Sequence, residues 1–252
     1  MSPEAERLRV VIVDDEELAR RGMRRDLAGE PGLEVAADCA DGFDAVRVIT
    51  ETRPDLVFLD IQMPRLDGFE VLELLDPAVV VVFVTAHDEH AVRAFEVNAV
   101  DYLLKPVDPE RLRLAIGRAR ERIRRREPMP TAALTEAARP PGTPLSRVLV
   151  RDGPNVQVIP IDAVDYIEAQ DDYIAVHAAG KAHLKQQPIG RIETALDPAR
   201  FVRIHRSYIL NLDRLARIEL YAKDSRIAIL RDGARLPLSR AGHARLKELL
   251  QA

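Results

Sequence analysis

The sequence predicts an α/β protein in two parts: a doubly wound, five-stranded parallel sheet followed by a smaller, mainly β module. Three observations carry this. Five short β-branched runs alternate with amphipathic stretches over the first half, the signature of successive βα units. The runs Leu56–Leu59 and Val79–Val84 are apolar throughout rather than alternating, as strands covered on both faces require. After a proline-rich break, the rhythm changes to closely spaced short strands separated by turn dipeptides.

In chain order, the strands of the first part are expected at Arg9–Val13, Leu33–Asp38, Leu56–Leu59, Val79–Val84 and Val100–Leu103. Helical patterns lie between them, near Glu17–Leu27, Phe43–Thr50, Gly68–Leu75 and Glu89–Val97. A longer helix opens at Pro109, where proline suits the first turn and Glu110 suits the dipole. Its apolar stripe is Leu112, Ile116, Ala119 and Ile123, at helical spacing. Residues 127–144 break the pattern with Pro128, Pro130, Pro140, Pro141 and Pro144 and read as an extended, semi-stiff linker. The organisation expected is therefore 1–126, a linker over 127–144, and 145–252.

In the second part, Arg147–Val150 and Val156–Ile159 flank an Asp152-Gly153 hairpin turn. Val164–Glu168, Tyr173–His177 and Ala182–Leu184 follow as strands, then Ile189–Leu196 as a helix. Phe201–Ile204, Ile218–Tyr221, Arg226–Leu230 and Arg235–Leu238 are further strands, with Asp232-Gly233 marking a second hairpin. Ser239 caps a last helix carrying Ala241, Ala244, Leu246 and Leu249.

Bulk properties narrow the function classes. A chain of 252 residues fits two domains of ordinary size. No apolar run approaches the roughly 18 residues that span a bilayer, and the N-terminal MSPEAERLRV lacks the basic start and apolar block of a secretory signal. The single cysteine, Cys39, fits a reducing, cytoplasmic setting and reads as small apolar filler at a strand end. The net charge of −4 conceals a gradient. Residues 1–109 carry 11 Lys/Arg against 24 Asp/Glu, residues 110–143 carry 9 against 4, and residues 144–252 carry 17 against 13. An acidic front and a basic rear imply two modules with different partners.

Ligands of a doubly wound sheet bind outside the carboxyl ends of its strands. Strand one ends Val13-Asp14-Asp15, strand three Leu59-Asp60 followed by Ile61-Gln62, strand four Val84-Thr85, and strand five Leu104-Lys105-Pro106. Three carboxylates, a hydroxyl and an ammonium thus converge on one rim. Carboxylates so placed repel unless a cation lies among them, and Mg²⁺ suits such a set of oxygen donors. One carboxylate can then attack phosphorus and become an acyl phosphate, while Lys105 neutralises a phosphoryl oxygen and Thr85 donates to another.

The fragments VIVDDE, DLVFLDIQMP and VFVTAHDEHAVRAFEVNAVDYLLKP, in this order, resemble the receiver domain of two-component response regulators over residues 8 to about 122. The resemblance implies a flavodoxin-like fold with Asp60 as phosphoacceptor, phosphorylated by a sensor histidine kinase. It implies Asp14 and Asp15 as the acidic pair of a Mg²⁺ site made of Asp14, Asp15, Asp60 and Gln62, with direct ligation by Asp15, Asp60 and the Gln62 main-chain carbonyl. Thr85 then corresponds to the switch hydroxyl and Tyr102 to the switch aromatic, with the Lys105–Pro106 bond cis.

The fragments DAVDYIEAQDDYIAVH, FVRIHRSYILNLDRL and LPLSRAGHARLKELL are similar to a LytTR-type DNA-binding domain, and the whole chain resembles the LytR/AlgR class of transcriptional regulators. In that family small antiparallel sheets present loops, not a helix, to the major groove, whose edges distinguish all four base pairs. The resemblance implies groove-facing roles for Arg206 and Arg240 and a base-reading position for Asp172, where the family carries Asn or His. Lys185 is a candidate phosphate contact. Arg203 alternates with apolar strand residues and reads equally as a solvated ion pair. The partners implied are the kinase, double-stranded promoter DNA and, when phosphorylated, a second copy of the chain, with no membrane.

Two other classes compete. A phosphohydrolase with an aspartyl nucleophile, by resemblance to the haloacid dehalogenase group, carries a second Asp as general acid where Gln62 stands, and Gln62 cannot transfer a proton; the chain is expected not to be a conventional enzyme. The other is a signalling adaptor whose rear domain binds protein or RNA. Its aromatic residues are scattered through strands, which gives no stacking platform for single strands.

Overall fold

The computed structural model describes residues 7–86, 101–139, 142–222 and 225–251. The chain divides into two compact units, Met1–Pro141 with Arg151–Val156, and Gly142–Val150 with Gln157–Ala252. Each is taken in turn.

In the first unit, β1 (Leu8–Val13), β2 (Leu33–Cys39), β3 (Leu56–Leu59), β4 (Val80–Thr85) and β5 (Asp101–Leu104) form a parallel sheet in the order β2-β1-β3-β4-β5. Every residue of β3 and β4 is buried, the consequence of two covered faces. Helices α1 (Glu17–Ala28), α2 (Gly42–Thr52), α3 (Gly68–Leu74) and α4 (Pro109–Arg125) connect or follow the strands. The helix expected near Glu89–Val97 lies outside the described residues.

Local sequence explains where these helices begin. Asp41 accepts from the Asp44 amide, Asp67 and Glu70 form a reciprocal capping box, and Asp108 accepts from the amides of Glu110 and Arg111. Helix α4 buries Leu112, Ile116 and Ala119 of the expected stripe together with Ala115, while Ile123 at its far end is only half-buried. Cys39 is buried, and burial followed by the neighbouring Asp44 pushes its thiol up to about 12.

Register decides what the sheet presents at its rim. Val13 pairs with Leu59, Leu59 with Phe83, and Thr85 with Leu104. The strands therefore end level, and Asp14, Asp60, Thr85 and Lys105 all stand at the last pairing or one residue beyond it.

Residues 127–144 differ from the extended linker expected. They contain a helix, α5 (Thr131–Ala138), that packs against α3. Met129 and Leu134 are buried, and the Met129 amide donates to Pro77 O at 2.7 Å. The prolines bracket a proline-free, alanine-rich octet of high helix propensity, which composition averaged over the whole stretch conceals.

In the second unit, β6 (Arg147–Asp152) and β7 (Asn155–Pro160) form a hairpin. Strands β8 (Val164–Gln170), β9 (Tyr173–Ala178), β10 (Lys181–Gln186), β11 (Phe201–His205) and β12 (Tyr208–Asn211) form a sheet in the order β10-β9-β8-β12-β11. A three-stranded sheet of β13 (Leu215–Ala222), β14 (Ser225–Leu230) and β15 (Arg235–Leu238) follows. Helix α6 (Ile189–Ala195) precedes β11, and α7 (Arg240–Gln251) closes the chain.

The five-stranded sheet takes part in two cores. Ile167, Ile174, Val176 and Ile209 pack with Ile192 of α6 and with Val148, Val150 and Ile159 of the hairpin. Val202, Ile204 and Leu210 pack with Ala228, Leu230, Leu236 and Leu238 of the second sheet and with Leu246 of α7. Strand β12 has no counterpart among the expected elements. It is four residues long, yet it holds β8 to β11, and its fully buried Asn211 donates from Nδ2 to Val164 O at 2.7 Å.

Because Leu134 is the one fully buried large side chain of α5, Leu134→Ala should release this helix without unfolding the sheet. Hydrogen exchange of amides 131–138 should report an opening free energy lower by about 2–4 kcal/mol. Exchange of the β3 amides should stay unchanged; equal protection of α5 in both proteins would contradict the docking.

Candidate functional site

Four strand ends, those of β1, β3, β4 and β5, supply the site at the rim of the first unit. Asp14 and Asp60 are both 4% exposed, Asp15 beside them is exposed, and one carboxylate oxygen from each lies within 4.8 Å of the others. Lys105 follows β5 and donates from Nζ to Asp14 Oδ2 at 2.7 Å and to Asp60 Oδ2 at 2.6 Å. The other oxygen of Asp60 accepts from the Gln62 amide at 3.1 Å, and Asp14 Oδ1 accepts from the Glu16 amide at 2.9 Å. The Asp60 amide donates to Val13 O at 2.8 Å, and the Lys105 amide to Thr85 O at 2.9 Å, locking neighbouring strand ends together.

Charge is balanced unevenly. Burial holds the Asp14 carboxyl above the usual carboxylate range, countered in part by Lys105 and the Glu16 amide. Burial opposes the charge of Lys105, but its bonds to Asp14 and Asp60 and their two negative charges prevail and raise its affinity for the proton. One ammonium faces three carboxylates, so the cluster keeps an excess of negative charge on hard oxygen donors. That donor set suits a divalent cation of the Mg²⁺ class.

Thr85 is fully buried at the end of β4, and its Oγ1 has no hydrogen-bond partner among the described residues. A buried hydroxyl left unpaired is costly, roughly 1–3 kcal/mol, so this one has a donor to offer. Tyr102 is buried within β5, opposite Phe83. The Lys105–Pro106 peptide is cis.

Two supporting residues carried no signal in the composition. Gly68 opens α3 with its amide donating to Ile61 O at 2.8 Å; a Cβ there would stand 2.3 Å from Asp60 O. Helix α3 therefore rests directly on the backbone of the central acid. A Gly after an Asp cap is a legible clue, but only the contact explains it. Asp101, fully buried at the start of β5, pairs with Arg118 Nη1 at 2.8 Å and Arg111 Nη2 at 3.1 Å and accepts from the Tyr102 amide. It ties the strand carrying Lys105 to α4.

In the second unit, Arg206 lies in the β11–β12 turn and Arg240 opens α7; both are exposed. Ser239, next to Arg240, donates from its amide (3.0 Å) and from Oγ (2.9 Å) to Ile204 O of β11, so the two arginines are brought to one strand end. Asp172 is exposed in the β8–β9 turn, where Asp171 has φ 51°. The Ala169 amide donates to Ser207 O at 2.8 Å, which sets that turn beside the one carrying Arg206. Lys185 sits near the same end on β10, but it is not a free surface cation, because Nζ donates to Leu149 O. Arg203 is not solvated: it is held by Glu193.

Comparison with known proteins follows the same division. Residues 10–117 match the response regulator receiver domain, and residues 155–251 match the LytTr DNA-binding domain. The chain is 36% identical over 247 residues to a response regulatory protein of Yersinia pestis, covering 96% of this chain and 98% of that one. It is 33% identical over 246 residues to the transcriptional regulatory protein BtsR of Salmonella typhi, covering 96% and 99%. Among solved structures, the receiver domain of AraT, a response regulator from Geobacillus stearothermophilus, is 33% identical with a TM-score of 0.42, covering 47% of this chain and 97% of that one. No helix among the described residues is long and apolar enough to cross a membrane.

Gly68→Ala tests the seat of α3. The added methyl has no space without moving the Asp60–Ile61 backbone, so urea unfolding of the first unit should show a loss of roughly 1–3 kcal/mol. The loop carrying Asp60 should shift with it, seen as chemical-shift changes of the Asp60, Ile61 and Gln62 amides. An unchanged midpoint and unchanged shifts would show that α3 stands off the acid.

Proposed function

This chain belongs to the two-component response regulators of the LytR/AlgR class, DNA-binding regulators of transcription, and from that premise we propose that Asp60 is its phosphoacceptor and that phosphorylation of Asp60 governs DNA binding. The observation that carries the proposal is the pairing of Asp60 with Lys105 at 2.6 Å, with the buried Thr85 hydroxyl, which has no partner among the described residues, at the end of the strand between them. A buried nucleophile, a cation ready to change partner and a free donor are the parts that phosphoryl transfer needs.

The chemistry runs through residues of this chain. An Asp60 oxygen attacks phosphorus of the donor, a phosphohistidine of a sensor histidine kinase, and the imidazole leaves with the bonding electrons. The Gln62 amide holds the other oxygen and so orients the carboxylate for attack. Lys105 gives up its bond to Asp60 and pairs with a phosphoryl oxygen, while Thr85 Oγ1 donates to another. Asp14, still bonded to Lys105, keeps the ammonium aimed into the rim. Asp15, Asp60 and the Gln62 main-chain carbonyl are the proposed holders of Mg²⁺, which when bound supplies charge neutralisation for the phosphoryl oxygens. Asp14 is committed to Lys105, which leaves the exposed Asp15 as the freer ligand. Tyr102 and Pro106 are proposed to transmit the change.

The receiver is taken as 1–126, with residues 127–144 connecting it to an output domain of 145–252. Arg206 and Arg240 are proposed to read base edges in the major groove, with Asp172 in the adjacent turn. The occupation of Lys185 by Leu149 O argues against the phosphate role considered for that lysine. Two phosphorylated chains on one duplex would gain avidity with no new surface. A cytoplasmic setting follows from a duplex-DNA partner.

Acetyl phosphate with Mg²⁺ should label the wild-type protein on Asp60, and Asp60→Asn should abolish the label. Label transferred to another residue at the wild-type rate would refute the assignment. Asp15→Asn should raise the Mg²⁺ dissociation constant about tenfold or more, because a charged ligand is lost. The companion Asp14→Asn should act mainly on Lys105 and alter metal affinity less; the reverse order would exchange the two roles.

A further inference from the structure

Strand β11 is not a regular ladder. Its pairing with β12 shifts register between Arg203 and His205, so Ile204 sits in a β-bulge with its carbonyl released from the sheet. That carbonyl is where Ser239 binds twice, and Gly242 of α7 presses on it so closely that a Cβ would stand 2.0 Å from Ile204 O. The Ser239 hydroxyl also accepts from the Gly242 amide at 3.0 Å, capping α7 at the turn that carries Arg240.

On the other side of the bulge, one guanidinium gathers the turn that carries Arg206. Arg203 donates from Nε to His205 O at 2.9 Å and from Nη2 to Arg206 O, while Nη1 pairs with Glu193 Oε2 of α6 at 2.6 Å. The turn is closed from within by the Ser207 amide donating to His205 Nδ1 at 3.2 Å. The Arg203 side chain is only 18% exposed, so a DNA backbone has little access to it. Arg206 and Arg240 themselves have no side-chain partner among the described residues and project from turns that are otherwise fully tied.

We infer that Arg203 is a positioning residue for DNA reading: with the bulge at Ile204, its three-way fork fixes the Arg206 turn and the Arg240 helix start to one strand. This rests on the reading of Arg206 and Arg240 as base contacts given above. The physical reason is geometric. Base readout needs guanidiniums held in register with a groove, and two arginines on independent loops would lose side-chain and loop entropy on binding. A planar fork bonded to two successive carbonyls and a carboxylate removes that freedom beforehand, and a lysine, with one compact ammonium, cannot reproduce it. Sequence specificity therefore depends on a side chain that touches no DNA.

The test uses the full-length protein and two duplexes: one recovered by the wild type from a random-sequence pool, and a scrambled duplex of the same composition. Arg203→Lys keeps the charge and the fold of the strand but loses the fork. It should reduce the ratio of affinities, selected over scrambled, by about tenfold, while affinity for the scrambled duplex and the salt dependence of binding stay at wild-type values. Glu193→Gln, outside the turn, should shift the ratio in the same direction by less, with an unchanged unfolding midpoint. A wild-type ratio in Arg203→Lys overturns the inference. So does a fall on both duplexes with the salt slope reduced by about one, which would make Arg203 a backbone contact. Should Arg203→Lys fail to fold, an unaltered ratio in Glu193→Gln overturns it equally. A wild type that recovers no preferred duplex defeats the reading of Arg206 and Arg240 itself, and this inference with it.

Discussion

Two carboxylates, Asp14 and Asp60, are buried side by side at the carboxyl rim of the parallel sheet, and one ammonium, Lys105, reaches both. Burial of like charges is tolerable only with such a partner; removing one member of a buried pair costs roughly 3–5 kcal/mol because the remaining charge is left uncompensated. Much of the first unit serves this contact. The pairing of Val13 with Leu59 sets the acids level, and the pairing of Thr85 with Leu104 delivers Lys105 to the same height. A slip of one residue on any strand would send its terminal side chain to the opposite face.

Around that contact, stiffness is supplied where a change of charge would be felt. Asp101 and its two arginines bind β5 to α4, so Lys105 is carried on a strand that cannot drift independently of its helix. Gly68 seats α3 on the Asp60 backbone, and α3 in turn carries the docked helix α5. The acid is thus in mechanical contact with the segment that leaves the first unit. At this rim Thr85 has a hydroxyl without a partner among the described residues, and Lys105 has a bond to Asp60 that it can exchange; the proposed chemistry rests on these two.

The second unit solves a different problem. A small sheet with a core on each face gains rigidity without length, and its ends are left to present turns. The bulge in β11 serves both turns at once: the carbonyl it frees from the ladder anchors α7, and the arginine before it anchors the turn after it. Binding residues are often carried on loops, and the positions of these two turns are set by the strand beneath them.

The sequence by itself determined the rim and most of the elements, though not β12 or α5. The apolar runs of β3 and β4 fit strands covered on both faces, Asp41, Asp67 and Asp108 set helix starts, and four strand ends in order brought Asp14, Asp60, Thr85 and Lys105 to one edge. These are local signals, dictated by residues a few positions apart. The tertiary structure alone decided four things: that Lys105 joins Asp14 to Asp60, that Asp101 is a buried clamp, that α5 docks where an extended linker was expected, and that Arg203 is a fork rather than a solvated pair. Each depends on partners distant in the chain or on a register shift that no periodicity encodes. A hydrogen bond between such partners is chosen by packing, after the local elements have formed, and so could not be read from the residues in line.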